Sequence, residues 1–252
     1  MFLSPNSKWE IEHINGRVRM NIALIVAGGV GNRFGANRPK QFVEVNGKPI
    51  LLFTLSVFQQ SPHVDRIAVV CVDGWHEFVE HMKDQYNISK LSYVIEGGAS
   101  RFESIYNGLL FLKKKISIDD YIMIHDSVRP CITDEMIEDS FKVAAQYGAA
   151  LAVAPCFDTM FISDDGVKIN GIYPREKLFK GQTPETIRYG VAIKSYQSAK
   201  LNGLKIDSPT SLLMQFEQPV GLSRGSQGNI KITTQDDIIL FKSILDRMET
   251  RK

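Results

Sequence analysis

The stretch from Asn21 to Gln41 constrains this chain more than any other. It opens with an apolar run, Ile22-Ala23-Leu24-Ile25-Val26-Ala27, short enough to be a buried strand of a parallel sheet. The run breaks into Gly28, Gly29 and Gly31, with Arg33, Arg38 and Lys40 spaced behind them. Glycines let a backbone turn tightly and bring its N–H groups close to a bulky anion. Three cations within eight residues make a site for several negative charges at once, such as a triphosphate.

Two other glycine loops fail on this sequence. A dinucleotide fold requires G-x-G-x-x-G and an acid about 20 residues on. Here Phe34 stands where the third glycine belongs, and Pro49 lies near the acid's spacing. A P-loop requires Gly-Lys-Ser/Thr, and the nearest candidate, Gly47-Lys48-Pro49, fails at its last residue. An ordinary turn with a basic rim remains, but two arginines and a Pro-Lys pair exceed what a turn requires.

Along the chain, Phe42-Val43-Glu44-Val45 alternates like a short strand, turned by Asn46-Gly47. Ile50 to Gln60 has helical spacing behind Pro49. Arg66 to Val72 reads as a strand, Trp75 to Tyr86 as a helix, Tyr93 to Ile95 as a strand and Arg101 to Lys115 as a helix. Tyr121 to Ile124 follows as a strand, Thr133 caps a helix to about Tyr147, and Ala149 to Ala154 is the fifth strand. Such alternation predicts βαβ units, hence an α/β fold with a mainly parallel twisted sheet and helices on both faces. It stops between Cys156 and Gln182, where short alternating pieces around Asp164-Asp165-Gly166 predict a protruding arm. A helix from Tyr189 to Asn202, the segments Val220 to Leu222 and Asn229 to Ile232, and a helix from Gln235 to Met248 complete the reading.

The 252 residues suit one domain, placed at 21–252 with the arm at about 156–182, after an extension at 1–20. The extension lacks the apolar core of a secretory signal. A net charge of +2 on dispersed basic residues gives no case for nucleic acid, and no apolar run reaches the ~20 residues of a membrane span. Cys71, Cys131 and Cys156 have no metal spacing, so reduced thiols in a cytoplasmic protein are expected.

In open α/β sheets ligands bind beyond the carboxyl ends of strands. The glycine loop falls at such an end, as do Gly97-Gly98-Ala99-Ser100-Arg101-Phe102-Glu103-Ser104 and His125-Asp126-Ser127-Val128-Arg129-Pro130. A later set comprises Asp158-Thr159, Arg175, Gly181-Gln182-Thr183-Pro184, Asp207 and Asn229-Ile230-Lys231-Ile232-Thr233. An aspartate ending a buried strand is expensive unless a cation meets it, so Asp126 calls for Mg²⁺ shared with a triphosphate, or for Arg129 alone. His125 is expected to be packed rather than a general base.

In this order the motifs resemble nucleotidyltransferases that activate sugar or polyol phosphates. More narrowly, G-G-x-G-x-R with P-K at Gly28 to Lys40, and G-G-x-x-R-x-x-S at Gly97 to Ser104, resemble the cytidylyltransferases acting on methylerythritol 4-phosphate and ribitol 5-phosphate. The resemblance covers about residues 21 to 248. It implies a Rossmann-like nucleotidyltransferase fold with a dimerisation arm, and transfer of CMP from CTP to a polyol phosphate with Mg²⁺ as cofactor. Within it Ala27, Gly28, Gly29 and Gly31 would bind nucleotide. Arg33, Lys40 and Lys231 would be catalytic, the first two gripping the triphosphate. Gly97 and Ser104 would contact cytosine, Arg101 would border the nucleotide, and Asp126 would serve nucleotide and Mg²⁺. Arg129, Thr159, Arg175, Thr183 and Asp207 would face the acceptor, with Arg175 acting in trans in a homodimer. Arg175, Thr159 and Lys231 together would take the acceptor phosphate.

Two departures bear on the acceptor. The methylerythritol group usually has a lysine soon after the Asp-Thr pair, whereas Met160-Phe161 follows Asp158-Thr159 here. It usually has a second acid after the aspartate of the substrate-facing turn, whereas Ser208-Pro209 follows Asp207. Both favour ribitol 5-phosphate, with methylerythritol 4-phosphate and a non-catalytic nucleotide-binding role as alternatives.

Overall fold

A computed structural model describes residues 13–14, 17–29, 38–204 and 206–249. Gly31 and Arg33 of the first loop therefore lie outside the described residues. Seven strands form one sheet: β1 (Asn21–Ala27), β2 (Arg66–Cys71), β3 (Leu91–Glu96), β4 (Tyr121–Asp126), β5 (Ala149–Pro155), β6 (Phe179–Arg188) and β7 (Gly221–Arg224). Their order is β7-β5-β6-β4-β1-β2-β3. Strand β1 pairs in parallel with β2 and β4, as do β2 with β3 and β5 with β7. Only β6 is antiparallel to its neighbours.

The alternation of side chains along β1 builds two cores. Ala23, Ile25 and Ala27 join a cluster with helices α1 (Ile50–Gln60), α2 (His76–Gln85) and α4 (Asp134–Tyr147). Ile22 and Leu24 join the opposite cluster, with α3 (Arg101–Leu112), α5 (Tyr189–Leu201) and α6 (Pro209–Gln215). Burial on both faces is why β1 is apolar throughout rather than every second residue. Helix α7 (Gln235–Glu249) contributes Ile238 and Phe241 to a third cluster with Val45, Ile50, Val128 and Ile232. Helix ends follow local chemistry: Thr133 accepts from the Met136 N–H to cap α4, and Gly148 ends it at φ 89°.

Two expectations need correction, and one helix was not foreseen. Phe42 lies in a 3-10 turn (Lys40–Phe42), and the ladder is confined to Glu44–Val45 against Lys48–Pro49. Phe42 is instead buried, stacked on Trp75 with centroids 4.3 Å apart. The arm ends sooner than expected, because residues 179–188 form β6 near the centre of the sheet. Pro184 argues against a central strand, since it cannot donate to a ladder. The structure resolves this by irregularity: β6 loses register with β5 between Gly181 and Glu185, and its pairing with β4 begins at Glu185. Finally, the stretch after Asp207 is a turn only up to Ser208, which accepts from the Ser211 N–H and starts α6 with Pro209 at its first position.

The arm is a two-stranded hairpin, Met160–Ile162 against Gly171–Tyr173. Its turn is satisfied locally, with Asp165 accepting from the Val167 and Lys168 N–H groups at 2.8 and 2.9 Å. Its apolar residues are not: Phe161, Ile169 and Ile172 are 55%, 67% and 64% exposed.

Candidate active site

The carboxyl ends of β1, β2, β3 and β4 open into one cleft of about 480 Å³, lined by Val26, Gly28, Gly29, Gln41, Val72, Asp73, Gly97 to Arg101, Ser104 and Asp126 to Val128. Lys40 and Lys231 complete its wall. Volume and position at strand ends are those of a small-molecule site in an open α/β sheet.

Close backbone approach shapes the floor. The Ser104 hydroxyl accepts from the Gly98 N–H at 3.0 Å. A Cβ on Gly28 would lie 2.6 Å from that same Ser104 Oγ, so the first loop must be glycine there to reach the second. Gln41, buried behind the loop, donates to the carbonyls of Ala27 at 2.7 Å and Gly29 at 3.0 Å. It thereby pins the two ends of the β1 exit from a position beyond the glycine stretch. Arg38 does not line the cleft and pairs with Glu44 at 3.6 Å on the surface.

Asp126, at the end of β4, holds the charge of the site. Its Oδ1 accepts from Arg101 Nη2 and Nε at 3.1 and 3.3 Å. Its Oδ2 lies 2.8 Å from Lys231 Nζ and 3.7 Å from Arg129 Nε. Burial raises the carboxyl pKa, but Arg101, Lys231 and Arg129 outweigh it and hold Asp126 well below the usual carboxylate range. Arg101 also faces Glu185 at 3.7 Å and donates to the backbone carbonyl of Asp207. Burial pushes the Glu185 pKa up, opposed by Arg101, Thr210 and Ser208.

The cations are themselves held from behind. Arg129 donates to the Asn229 carbonyl at 2.8 Å, and Asn229 donates to the Thr183 carbonyl at 3.0 Å. Thr183 Oγ1 accepts from the Asp126 N–H at 3.1 Å. Beyond Lys231, Asp237 accepts from the N–H and hydroxyl groups of Thr233 and Thr234 at 2.8 to 2.9 Å. The Lys231 segment is thus clamped to the start of α7. His125 is fully buried, its Nε2 3.1 Å from the Arg129 carbonyl and its ring against Phe58.

The structure therefore brings Gly28, Gly29, Lys40, Gly97, Arg101, Ser104, Asp126 and Lys231 to one cleft, with Ala27, Arg129, Thr183 and the Asp207 carbonyl directly behind. It does not bring Thr159 or Arg175 there. Both are exposed on the arm, and Arg175 donates to the Phe157 carbonyl at 3.3 Å. The expected phosphate site of Arg175, Thr159 and Lys231 is thus absent among the described residues of a single chain. Sequence reasoning missed Gln41, Glu185, Asn229 and Asp237. For Gln41, Glu185 and Asn229 the signal is a polar residue buried inside an otherwise apolar packing pattern, visible only once the fold is known; for Asp237 it is an acid three and four residues after two threonines.

Residues 21–247 match the family model described as "IspD: 2-C-methyl-D-erythritol 4-phosphate cytidylyltransferase". A 2-C-methyl-D-erythritol 4-phosphate cytidylyltransferase of Clostridium botulinum (strain Langeland) is 36% identical over 90% of this chain and 98% of its own. A ribitol-5-phosphate cytidylyltransferase of Vibrio parahaemolyticus is 34% identical over 91% and 98%. Among solved structures, 4-diphosphocytidyl-2C-methyl-D-erythritol synthase from Anaerococcus prevotii superposes with TM-score 0.78 at 24% identity, over 90% of this chain and 99% of that one, a likeness of fold. With the cleft at the strand ends and a family match across nearly the whole described chain, the protein belongs to the IspD family of cytidylyltransferases.

Proposed function

We propose that this cytidylyltransferase moves CMP from CTP to ribitol 5-phosphate, giving CDP-ribitol and pyrophosphate. The observation that carries the choice of acceptor is Ser208. Its hydroxyl donates to Glu185 at 2.9 Å and its oxygen caps α6, so the turn between α5 and α6 offers the single carboxylate of Asp207. The arm carries exposed Phe161 where the methylerythritol pattern has a lysine nearby. Without that cation and a second acid, two binding determinants for a branched erythritol are missing.

A phosphate oxygen of the acceptor attacks the α-phosphorus of CTP, a new P–O bond forms, and the bond to the β-phosphate oxygen breaks as pyrophosphate leaves. The attacking dianion carries no proton there, so the reaction needs alignment and charge neutralisation rather than a base. In this reading Gly28, Gly29, Gly97 and Ser104 seat the nucleoside and inner phosphates. Lys40 and Arg33 grip the outer phosphates, and Lys231 faces the charge developing at the α-phosphorus. Asp126 is the carboxylate that would hold Mg²⁺. Among the described residues no cluster of three or more His, Cys, Asp or Glu side chains forms around it, so the ion's remaining positions would be filled by nucleotide phosphates and water. Bound there, Mg²⁺ would neutralise the triphosphate.

The acceptor phosphate would meet Thr159 and Arg175 from the arm of a second copy, since one chain's own arm leaves them outside the cleft. The exposed apolar hairpin supports a homodimer built on that arm. Pyrophosphate release with CTP, Mg²⁺ and each polyol phosphate tests the reading. A kcat/KM at least about 10-fold higher for ribitol 5-phosphate is expected. The reverse preference overturns the acceptor, and release with neither overturns catalysis.

A further inference from the structure

Glu185 has no part in the family reading, yet it sits where the two halves of the site meet. It lies on β6 at the point where pairing with β4 begins and pairing with β5 resumes, which fixes its backbone. Its side chain is 4% exposed and its two oxygens are divided between two tasks. Oε2 accepts from Ser208 Oγ at 2.9 Å, from the Thr210 N–H at 2.8 Å and from Thr210 Oγ1 at 2.7 Å. Oε1 lies 3.7 Å from Arg101 Nη2. Arg101 in turn grips Asp126 and donates to the Asp207 carbonyl. One guanidinium lining the nucleotide cleft is therefore held from the side of the 207–210 turn by two acceptors, a charge and a carbonyl.

We infer that Glu185 is a positioning residue that couples the 207–210 turn to Arg101, so that the seating of the acceptor and the orientation of the nucleotide-side arginine are set together. A buried carboxylate is costly unless several partners satisfy it, and three hydrogen bonds plus a guanidinium are more than packing alone requires. An amide would accept the same hydrogen bonds from Ser208 and Thr210. What an amide lacks is the charge that draws Arg101 toward the turn. Charge and hydrogen bonding can thus be removed separately.

The inference rests on the proposed acceptor side, but its first arm reads CTP alone and is indifferent to which polyol is correct. In Glu185→Gln, CTP binding measured by calorimetry without acceptor is expected to weaken about 5- to 20-fold, the range of a lost charge-assisted contact. The melting temperature should stay close to that of the parent protein. In Thr210→Val, which keeps the charge and removes the hydroxyl's bonds to Glu185 and Ser208, CTP binding should hold while KM for the acceptor rises several-fold. A double-mutant cycle of Glu185→Gln with Arg101→Lys should be non-additive in CTP binding. If Glu185→Gln lowers only the melting temperature, or leaves CTP binding within about twofold of the parent, Glu185 is a structural residue and the inference fails. Additive effects in the cycle would also overturn it. Failure of every polyol to react, with the CTP arm as expected, would strike the proposed acceptor and leave the coupling standing.

Discussion

In the cleft, one buried carboxylate is ringed by Arg101, Arg129 and Lys231, and each of these cations is braced by a further acceptor or segment. On the arm, Phe161, Ile169 and Ile172 stand more than half exposed, and Arg175 donates to the Phe157 carbonyl. The cleft pairs its charges within one chain, while the arm satisfies its turn and leaves its apolar surface exposed. The difference follows from size. A hairpin of two three-residue strands has too little area to bury a face of its own, whereas strand ends in a doubly covered sheet inherit rigidity from the cores beneath.

If the cleft is self-contained, breaking its centre should cost the fold itself. Asp126→Ala leaves three cations facing one another in a poorly solvated wall, and removing one partner of such a group costs about 3–5 kcal/mol. Thermal unfolding should show a fall of roughly 10 °C in melting temperature. An unchanged melting temperature would mean the cations relax to solvent and the cleft is softer than it looks. Lys40→Ala, by contrast, should spare the fold and strike turnover, by about 10²- to 10³-fold as for loss of one preorganised charge contact. Near-parent turnover would remove the glycine loop from the mechanism.

The cleft was legible in the sequence to the extent that its parts are local. The apolar run into Gly28 and Gly29, Ser100 capping α3 ahead of Arg101, and Asp126 ending β4 are each readable from neighbours in the chain. That Asp126 would meet Arg101 and Lys231 was not, because the partners lie 25 and 105 positions away and the chain between carries no mark of the meeting. Strand β6 was hidden for a specific reason. Pro184 and Glu185 are poor strand signals, and only the irregular ladder and the partners waiting at Ser208, Thr210 and Arg101 make them tolerable. On the arm the alternation was readable, but nothing in the local pattern tells that Thr159 and Arg175 stand exposed outside the cleft of their own chain.

A pH test sharpens the account of the cleft floor. Burial holds His125 neutral and lowers its pKa from 6.5 to about 4, partly offset by its bond to the Arg129 carbonyl and by Asp126. Between those values the unfolded chain binds a proton that the folded one refuses, so stability falls as pH drops through that window, by about 3 kcal/mol. Asp126 acts lower, its contribution present above the ordinary carboxylate value and lost as pH falls beneath it. Denaturant unfolding of His125→Gln should show a flatter slope from pH 6.5 to 4. An unaltered slope would place the acid sensitivity elsewhere.

Arg175→Ala should divide the regions by ligand, raising KM for the polyol phosphate about 10- to 100-fold while leaving CTP binding as it was. Mixing Arg175→Ala with Lys40→Ala before refolding asks whether the arm serves its own cleft. In trans, one site of each mixed dimer pairs an intact cleft with an intact arm, so activity should recover to about a quarter of the parent level. Two inactive variants that stay inactive when mixed would put Arg175 back in cis.

The smallest effect on folding comes from Ile172→Lys, and that smallness is its value. Ile172 is 64% exposed on the second strand of the hairpin, so in an isolated chain a lysine there should shift unfolding by no more than about 0.5 kcal/mol. Against a second arm the same lysine would have to be buried without a partner or pushed aside, and association should weaken by at least about 100-fold. Sedimentation across a dilution series reads the second quantity and chemical unfolding of the dilute protein reads the first, so one substitution measures both regions' logic at once. A stable dimer after the change would mean the apolar hairpin is not the seam. A loss of more than about 2 kcal/mol in the monomer would mean the arm packs on its own chain after all, and the contrast between a finished cleft and an unfinished arm would dissolve.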